Sequence, residues 1–399
     1  MKILVISAFL PMADKLGGDH RFFRFLEGLV GEHEVRYLAY AVHDQALRYG
    51  EEDIARYRRE LEQAGIPLLP PGVRNALQGD VYDAVIFQNF FHMPPWIAEV
   101  RTFQPQARVI VDNGDVAFRR FFSKADLTGL AEDRAAAEKI KREELWAYAR
   151  ADIAITVSRE DTEVVKAELP DLRTWIIPNI HPIPPASSLP KEPDSLIFVG
   201  SFLHPPNVDG MLYFVRDILP LIVAERPAVK LRIVGYKPPP EVEALASEHV
   251  EVVGFVPETA PWLDRSAISV APLRYGAGVK GKIGEAMAHR LPVVTTTVGI
   301  DGFGLSVGEN VLVGDSPAEF ARHVLDLLGD EALYARLAEA GSRFIREHFS
   351  EAAVREQIRA LMRELPALPV QRLPAWRSLP IRLDALLERH LYWRLRRAG

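Results

Sequence analysis

Short apolar runs recur along the whole chain, separated by longer stretches whose apolar positions fall three and four residues apart. Runs this short and this continuous predict strands buried on both faces, and the three-and-four spacing predicts amphipathic helices packed against them. Predicted strands in the first half are KILVIS, EVRYLAY, DAVIFQN, RVIVDN, DIAITVS and TWIIPN, with helices such as HRFFRFLEGLV and EDRAAAEKIKREELWAYAR between them. The segment HPIPPASSLPKEPD then loses all periodicity and carries five prolines, which predicts a linker. After it the alternation restarts with SLIFVGS, KLRIVG, VEVVGF, ISVAP, PVVTT and NVLVGD, interleaved with VDGMLYFVRDILPLIVAE and PAEFARHVLDLL. The expected architecture is α/β: two doubly wound, Rossmann-like domains over 1–180 and 195–349, a linker over 181–194, and C-terminal helices over 350–399 that partly return to the first domain. Ligands of such sheets bind at the carboxyl ends of the strands, so the cleft between the domains is the expected site.

Composition narrows the chemistry. The 399 residues are 48% hydrophobic and 26% charged, with net charge −6 and no cysteine. The charge gives no surplus for neutralising a nucleic-acid backbone, and thiolate catalysis and cysteine-ligated metal centres are excluded. The N-terminal run MKILVISAFLPMADKLGG reads as a first buried strand and not as a signal peptide. No run approaches the roughly 18 apolar residues of a membrane span. A cytoplasmic chain is expected.

The chemically distinctive stretch is LRYGAGVKGKIGEAMAHRLPVVTT, Leu273 to Thr296. It sets Gly276, Gly278, Gly281, Gly284, Lys280 and Lys282 where ISVAP gives way to a helix. A helix start is electropositive and repels cations, and each interior glycine costs about 1 kcal/mol relative to alanine. Both choices become favourable if a polyanion sits among the free N–H groups and glycine lets it approach the backbone. GAGVKGKI also matches the start of a P-loop, but Ile283 stands where a magnesium-binding hydroxyl is required. Glu285 follows Lys282 by three residues, on the same helical face: a cation for phosphate and a carboxylate for sugar hydroxyls, or a simple surface ion pair.

On these residues the chain resembles the family 4 (group 1) glycosyltransferases, whose fold is the two-domain GT-B architecture. APLRYGAGVKGKIGEAMAHRLPVVTT is similar to the family's donor-binding signature, KLGGDHRFFRFLEGL to its N-terminal glycine loop, and VDNGDVAFRR to its acceptor-domain loop. ADIAITVSREDTEVV with IIPNI, and FVGSFLHPPNVDGMLYFV, extend the likeness over nearly the whole chain. The resemblance implies that Glu285 holds the donor ribose. It implies that Lys280 and Lys282, with the backbone of Gly276, Ala277 and Gly278, hold the diphosphate, which Gly17 and Gly18 allow close to the first domain. Gly254 and Phe255 would meet the base. Three positions depart from the pattern: Ala277 where many members carry Glu, and Ser201 and Asn207 where many carry Arg and Lys. The cationic load then falls on Lys280 and Lys282.

Transfer from a nucleotide sugar needs the departing diphosphate stabilised, here by preorganised lysines and a helix N-terminus. The catalytic set expected is Asp112, Lys282 and Glu285. Asp112 is either a base or the turn residue of Asp-Asn-Gly; Asp115 is a turn or acceptor contact, with Arg21 and Arg119 as further acceptor contacts. His20 and His92 are expected as polar contacts, and Ser158 and Asn179 as satisfied loop residues. The implied activity is retaining, metal-independent transfer of a sugar to a hydroxyl on a glycan, lipid-linked or small-molecule acceptor. Cell-envelope polysaccharide or other glycoconjugate synthesis is the implied setting, with no cofactor and no nucleic acid involved. A nucleotide-sugar epimerase and a non-catalytic sugar-nucleotide-binding protein are the alternatives. The last segment, from Leu365, carries seven arginines against Asp384 and Glu388, with Trp376, Tyr392 and Trp393. It is either a helix docked on the first domain or a basic amphipathic element at the inner face of a membrane.

Overall fold

The computed structural model of the protein describes residues 1–387, so Tyr392 and Trp393 lie outside the described residues. The first sheet contains β1 (Lys2–Ser7), β2 (Glu34–Ala39), β3 (Ala84–Gln88), β4 (Arg108–Asp112), β5 (Ile153–Thr156) and β6 (Thr174–Ile176). The second contains β7 (Ser195–Val199), β8 (Lys230–Val234), β9 (Val250–Gly254), β10 (Ile268–Ala271), β11 (Val293–Thr295) and β12 (Leu312–Val313). Every strand pair is parallel. The twelve strands fall on the twelve predicted runs.

Parallel pairing demands a crossover between neighbours, and the helices supplying it cover both faces of each sheet. The alternation within β1 shows the result. Ile3 and Val5 pack with Phe22, Phe25 and Leu26 on one face, while Leu4 and Ile6 pack with Val85, Phe87 and Val109 on the other. In the second sheet Leu196 and Phe198 join Phe214, Ile218 and Phe320, and Ile197 joins Ile283, Ala286 and Met287. One helical expectation needs correction: VDGMLYFVRDILPLIVAE is not a continuous α-helix. The helix starts earlier, at Pro205, and a π-helical turn over Phe214–Ile218 precedes Leu219–Glu225, where Pro220 can give no N–H to the preceding turn.

Strand order places the site. The first sheet runs β2-β1-β3-β4-β5-β6 and the second β12-β11-β10-β7-β8-β9. Order reverses between β1 and β3 and between β7 and β10, and at such switch points the loops diverge to open a crevice. The loop after β1 leads into α1 (Gly17–Leu29). The loop after β10 is the glycine- and lysine-rich stretch, entering the helix Gly281–Ala288.

The chain crosses between domains twice, and the crossings touch: His181 N–H donates to Phe349 O at 2.8 Å. The helix Glu351–Glu364 then lies on the first domain, where Val354, Ile358, Leu361 and Met362 complete the core around α1. At this seam a Cβ on Gly284 would stand 2.3 Å from Nε2 of the buried His181. Gly284→Ala is therefore expected to destabilise by about 1–3 kcal/mol, the overpacking cost outweighing the gain of up to about 1 kcal/mol in helix propensity. In a His181→Ala background the same change should be neutral or stabilising. Urea melts of the four proteins would check this, and equal costs in both backgrounds would refute the clash.

Candidate active site

The β10 loop resolves its own apparent conflict with helix rules. Gly276 and Gly278 precede the helix with φ of +154° and +67°, conformations costly for a side chain, most clearly at the left-handed Gly278. Lys280 is the N-cap, and no side chain caps the helix. Only Gly281 and Gly284 are helical glycines. Gly278 also allows a close approach across the cleft, since a Cβ there would meet Cβ of Asp115 at 2.9 Å.

Lys282 lies in the crevice at the β7–β10 switch point. Its ammonium donates to Asn207 Oδ1 and stands 4.9 Å above the Phe198 ring. It makes no ion pair among the described residues. Gly200 makes the room: a Cβ there would sit 3.1 Å from Lys282 Cε and 2.8 Å from Asn207 Nδ2. Asn207 Nδ2 in turn donates to Ser201 O at 2.7 Å, while the buried Ser201 hydroxyl finds no partner. Burial pulls the Lys282 ammonium down to about 7, and the Lys280 charge acts in the same direction. Lys280, 9% exposed, donates to Gly278 O at 2.7 Å and lies 3.7 Å from Asp301. Burial lowers it to about 8, against the opposing pull of Asp301 and Asp161. Two lysines held below their ordinary range, with an unpartnered hydroxyl between the same loops, form a pocket that an anion would recharge.

The surface ion pair does not form. Glu285 instead accepts from Thr259 Oγ1, and burial raises its carboxyl pKa against the lowering effects of that bond and of His289. Its carboxylate is engaged by a hydroxyl of the protein and not by Lys282. Beyond β9, Gly254 (φ +76°) has open space at its Cβ position, and Phe255, 42% exposed, meets Tyr236 edge-to-face at 5.7 Å. Lys15 of the first domain lies 5.0 Å from the Tyr236 ring. Opposite, Gly17 and Gly18 open α1 with no side-chain cap and nothing within 4 Å of their Cβ positions.

Three first-domain residues expected to act in catalysis or acceptor binding, Asp112, Arg21 and Arg119, are engaged by other residues of the protein. The Asp112 carboxylate, at the carboxyl end of β4, is buried and takes a two-oxygen contact from Arg21 Nη1 at 2.9 and 2.8 Å, with both side chains within 2% of full burial. Arg21, expected as an acceptor contact, spends its other nitrogens on Ile177 O at 3.1 and 2.6 Å. The reason is position: α1 carries Arg21 down against the end of β4, and a buried carboxylate there needs a counter-charge. Arg119 is likewise engaged, with Asp161 at 2.5 Å and, across the cleft, Asp301 at 3.1 Å. Asp115 does remain at the cleft, accepting from Arg120 Nε at 2.8 Å. Gly276 N–H is taken by Ser123 Oγ of the first domain at 3.2 Å. Ser158 caps the following helix through Asp161 N, and Asn179 donates to Val279 O at 3.0 Å across the seam. His92 is buried against Gln88 O and lowered to about 4 by that burial. His20 is lowered by burial and by Arg24.

One site residue had no reading in the sequence. His204 precedes the helix Pro205–Tyr213 and is pushed down to about 3 by burial, with Arg120, Lys282 and Lys280 adding to it. It is a neutral imidazole among cations. The polar residue before Pro-Pro in FLHPPN was the available signal.

Comparison with known proteins fits this geometry. Residues 193–330, which contain the whole lysine loop, match the family model of glycosyl transferases group 1. An uncharacterized 44.6 kDa protein in the cps region of Klebsiella pneumoniae is 25% identical over 173 residues; the match covers 40% of this chain and 44% of that protein, less than half of each. Sucrose-phosphate synthase from Thermosynechococcus elongatus superposes with TM-score 0.69 at 17% identity, over 92% of this chain and 99% of that one. HepE from Anabaena, solved with UDP and glucose, gives 0.65 at 16% identity over 91% and 100%. TarM of S. aureus, in complex with UDP among other ligands, gives 0.59 at 17% identity over 72% of this chain and 58% of that one. Two parallel sheets facing a lysine-lined crevice give this chain the GT-B fold, and the domain that supplies the lysines, residues 193–330, is similar to the glycosyl transferases group 1.

Proposed function

We propose that the protein transfers a sugar from a nucleotide diphosphate sugar to a hydroxyl acceptor with retention of configuration and without a metal, as a family 4 enzyme. The observation that carries this reading is Lys282, a partly buried ammonium with no carboxylate partner among the described residues, beside the uncapped start of Gly281–Ala288. Lys280, Lys282 and that helix start would hold the diphosphate and stabilise charge as it departs. Glu285 would take the ribose hydroxyls, and Phe255 with Tyr236 would meet the base. Gly17 and Gly18 leave space for the phosphates from the first-domain side, and Asp115 is the carboxylate left to orient an acceptor. The UDP complexes of HepE and TarM support a nucleotide donor, and the cps-region relative supports a surface-polysaccharide setting.

The test is incubation with a panel of nucleotide sugars, following slow nucleoside diphosphate release in wild type and Lys282→Ala. Release by the wild type alone, followed by an acceptor product of unchanged anomeric configuration by NMR, is expected. Isomerised nucleotide sugar without release would overturn the proposal.

A pH dependence follows from Lys282. A nucleotide sugar keeps its diphosphate ionised, so it should bind the protonated ammonium. With the empty-site value near 7, binding at pH 8 should take up a proton. Affinity should then fall by up to about tenfold per pH unit above pH 7. Titration calorimetry in two buffers of different ionisation heat reads that proton directly, and a buffer-independent enthalpy would contradict it.

A further inference from the structure

The helix Ala375–Leu387 is inverted relative to what a soluble surface helix should be. It rests on the first domain through its small face: Ala385 is buried, Ser378 and Ile381 are half-buried, Arg382 donates to Thr102 O at 3.2 Å, and Asp384 pairs with Arg74 at 3.1 Å. The opposite face carries Trp376, Leu379, Leu383 and Leu386, which are 70, 57, 51 and 51% exposed. Their spacing of three, four and three aligns them in one stripe along the helix. An apolar line of this kind on an otherwise ordinary surface marks an interaction site.

Charge selects the partner. Arg372 and Arg377 flank the stripe, exposed, and the Arg377 guanidinium lies 4.8 Å from the Trp376 ring. In sequence, Arg389, Arg394, Arg396 and Arg397 follow against the single Glu388. This basic segment stands in a chain of net charge −6. A second copy seated on the stripe by a two-fold axis would bring like charges together, which is unfavourable. An anionic lipid surface satisfies both features, taking tryptophan and leucine at the acyl boundary and arginine among the headgroups. No helix among the described residues is long and apolar enough to cross a membrane, so the contact would be a flat one.

The location suits it. The preceding segment runs along the strand-start edge of the first sheet, where Arg108 donates to Leu368 O at 3.2 Å and Asp152 accepts from Gln371 N at 2.7 Å. That edge lies opposite the carboxyl ends that face the cleft. We propose that the exposed face of Ala375–Leu387 is a docking surface for an anionic membrane, holding the protein at the bilayer with its cleft uncovered. The proposal goes beyond the transfer reaction and does not depend on it.

Co-sedimentation of the full chain with mixed phosphatidylglycerol and phosphatidylcholine vesicles tests it, with pure phosphatidylcholine vesicles alongside. Two exposed-face variants are needed, L379S/L383S/L386S and R372E/R377E. Wild type should bind the anionic vesicles, and each variant should bind roughly tenfold more weakly or worse. Nucleotide-induced thermal shifts should be the same in all three, which confirms folding and keeps this test separate from that of the donor site. Absence of wild-type binding, equal binding by the serine variant, or equal affinity for neutral vesicles would overturn the proposal. So would a wild-type dimer that the serine variant converts to monomer.

Discussion

Replacing Lys282 by alanine lowers turnover roughly 10²–10³-fold, the usual cost of removing one preorganised group that stabilises developing charge. The groups around Lys282 leave its charge unneutralised. The ammonium has Asn207 and the Phe198 ring for company and no ion-pair partner among the described residues, so its charge is available to a ligand. That same isolation makes it unfavourable in the unliganded protein, as its lowered pKa records. A Lys282→Met variant, which fills the space without the charge, should therefore melt at the wild-type temperature or above while losing activity. Lost activity with lower stability would point to a structural lysine instead. Glu285→Ala should behave differently, raising KM for the donor more than it lowers kcat, because the ribose contacts proposed for it would be made equally before and during the reaction.

The second large effect is structural. Asp112→Ala leaves the Arg21 guanidinium buried and uncompensated, and the expected loss is about 3–5 kcal/mol, read as a fall in the denaturation midpoint. The pair ties three segments together, since Arg21 on α1 holds both the end of β4 and Ile177 beyond β6. Removing both charges at once, in Arg21→Met/Asp112→Leu, should restore most of the stability, because an apolar pair of similar volume avoids the desolvation of two ions. That double variant should also retain turnover. If it folds and is inactive, Asp112 touches substrate after all, and its role as a buried brace is wrong.

These residues show what the sequence could and could not reveal. The strands were legible because parallel sheets covered on both faces leave an unbroken apolar signature. The loop after β10 stood out because glycines and lysines at a helix start violate local preference and need a reason from outside. Asp112 was misread because its turn-like neighbourhood says nothing of an arginine ninety-one positions away. Arg119 was misread likewise, since its partner Asp301 belongs to the other domain. His204 had no reading because its neutrality is produced by burial beside Arg120, Lys282 and Lys280, which only the folded chain assembles. Local rules report what a residue prefers; long-range pairing decides what it meets.

The return of Glu351–Glu364 to the first domain bears on how the protein is made. Val354, Ile358, Leu361, Met362 and Leu365 finish a core whose other buried members were laid down between Ile3 and Ile180. During synthesis, which proceeds from the N-terminus, that core stays incomplete until the whole second domain has left the ribosome. The first domain must wait, with α1 partly uncovered, for a helix made last. Nascent chains stalled before residue 351 should expose that apolar face to chaperones, and release of the helix should close it.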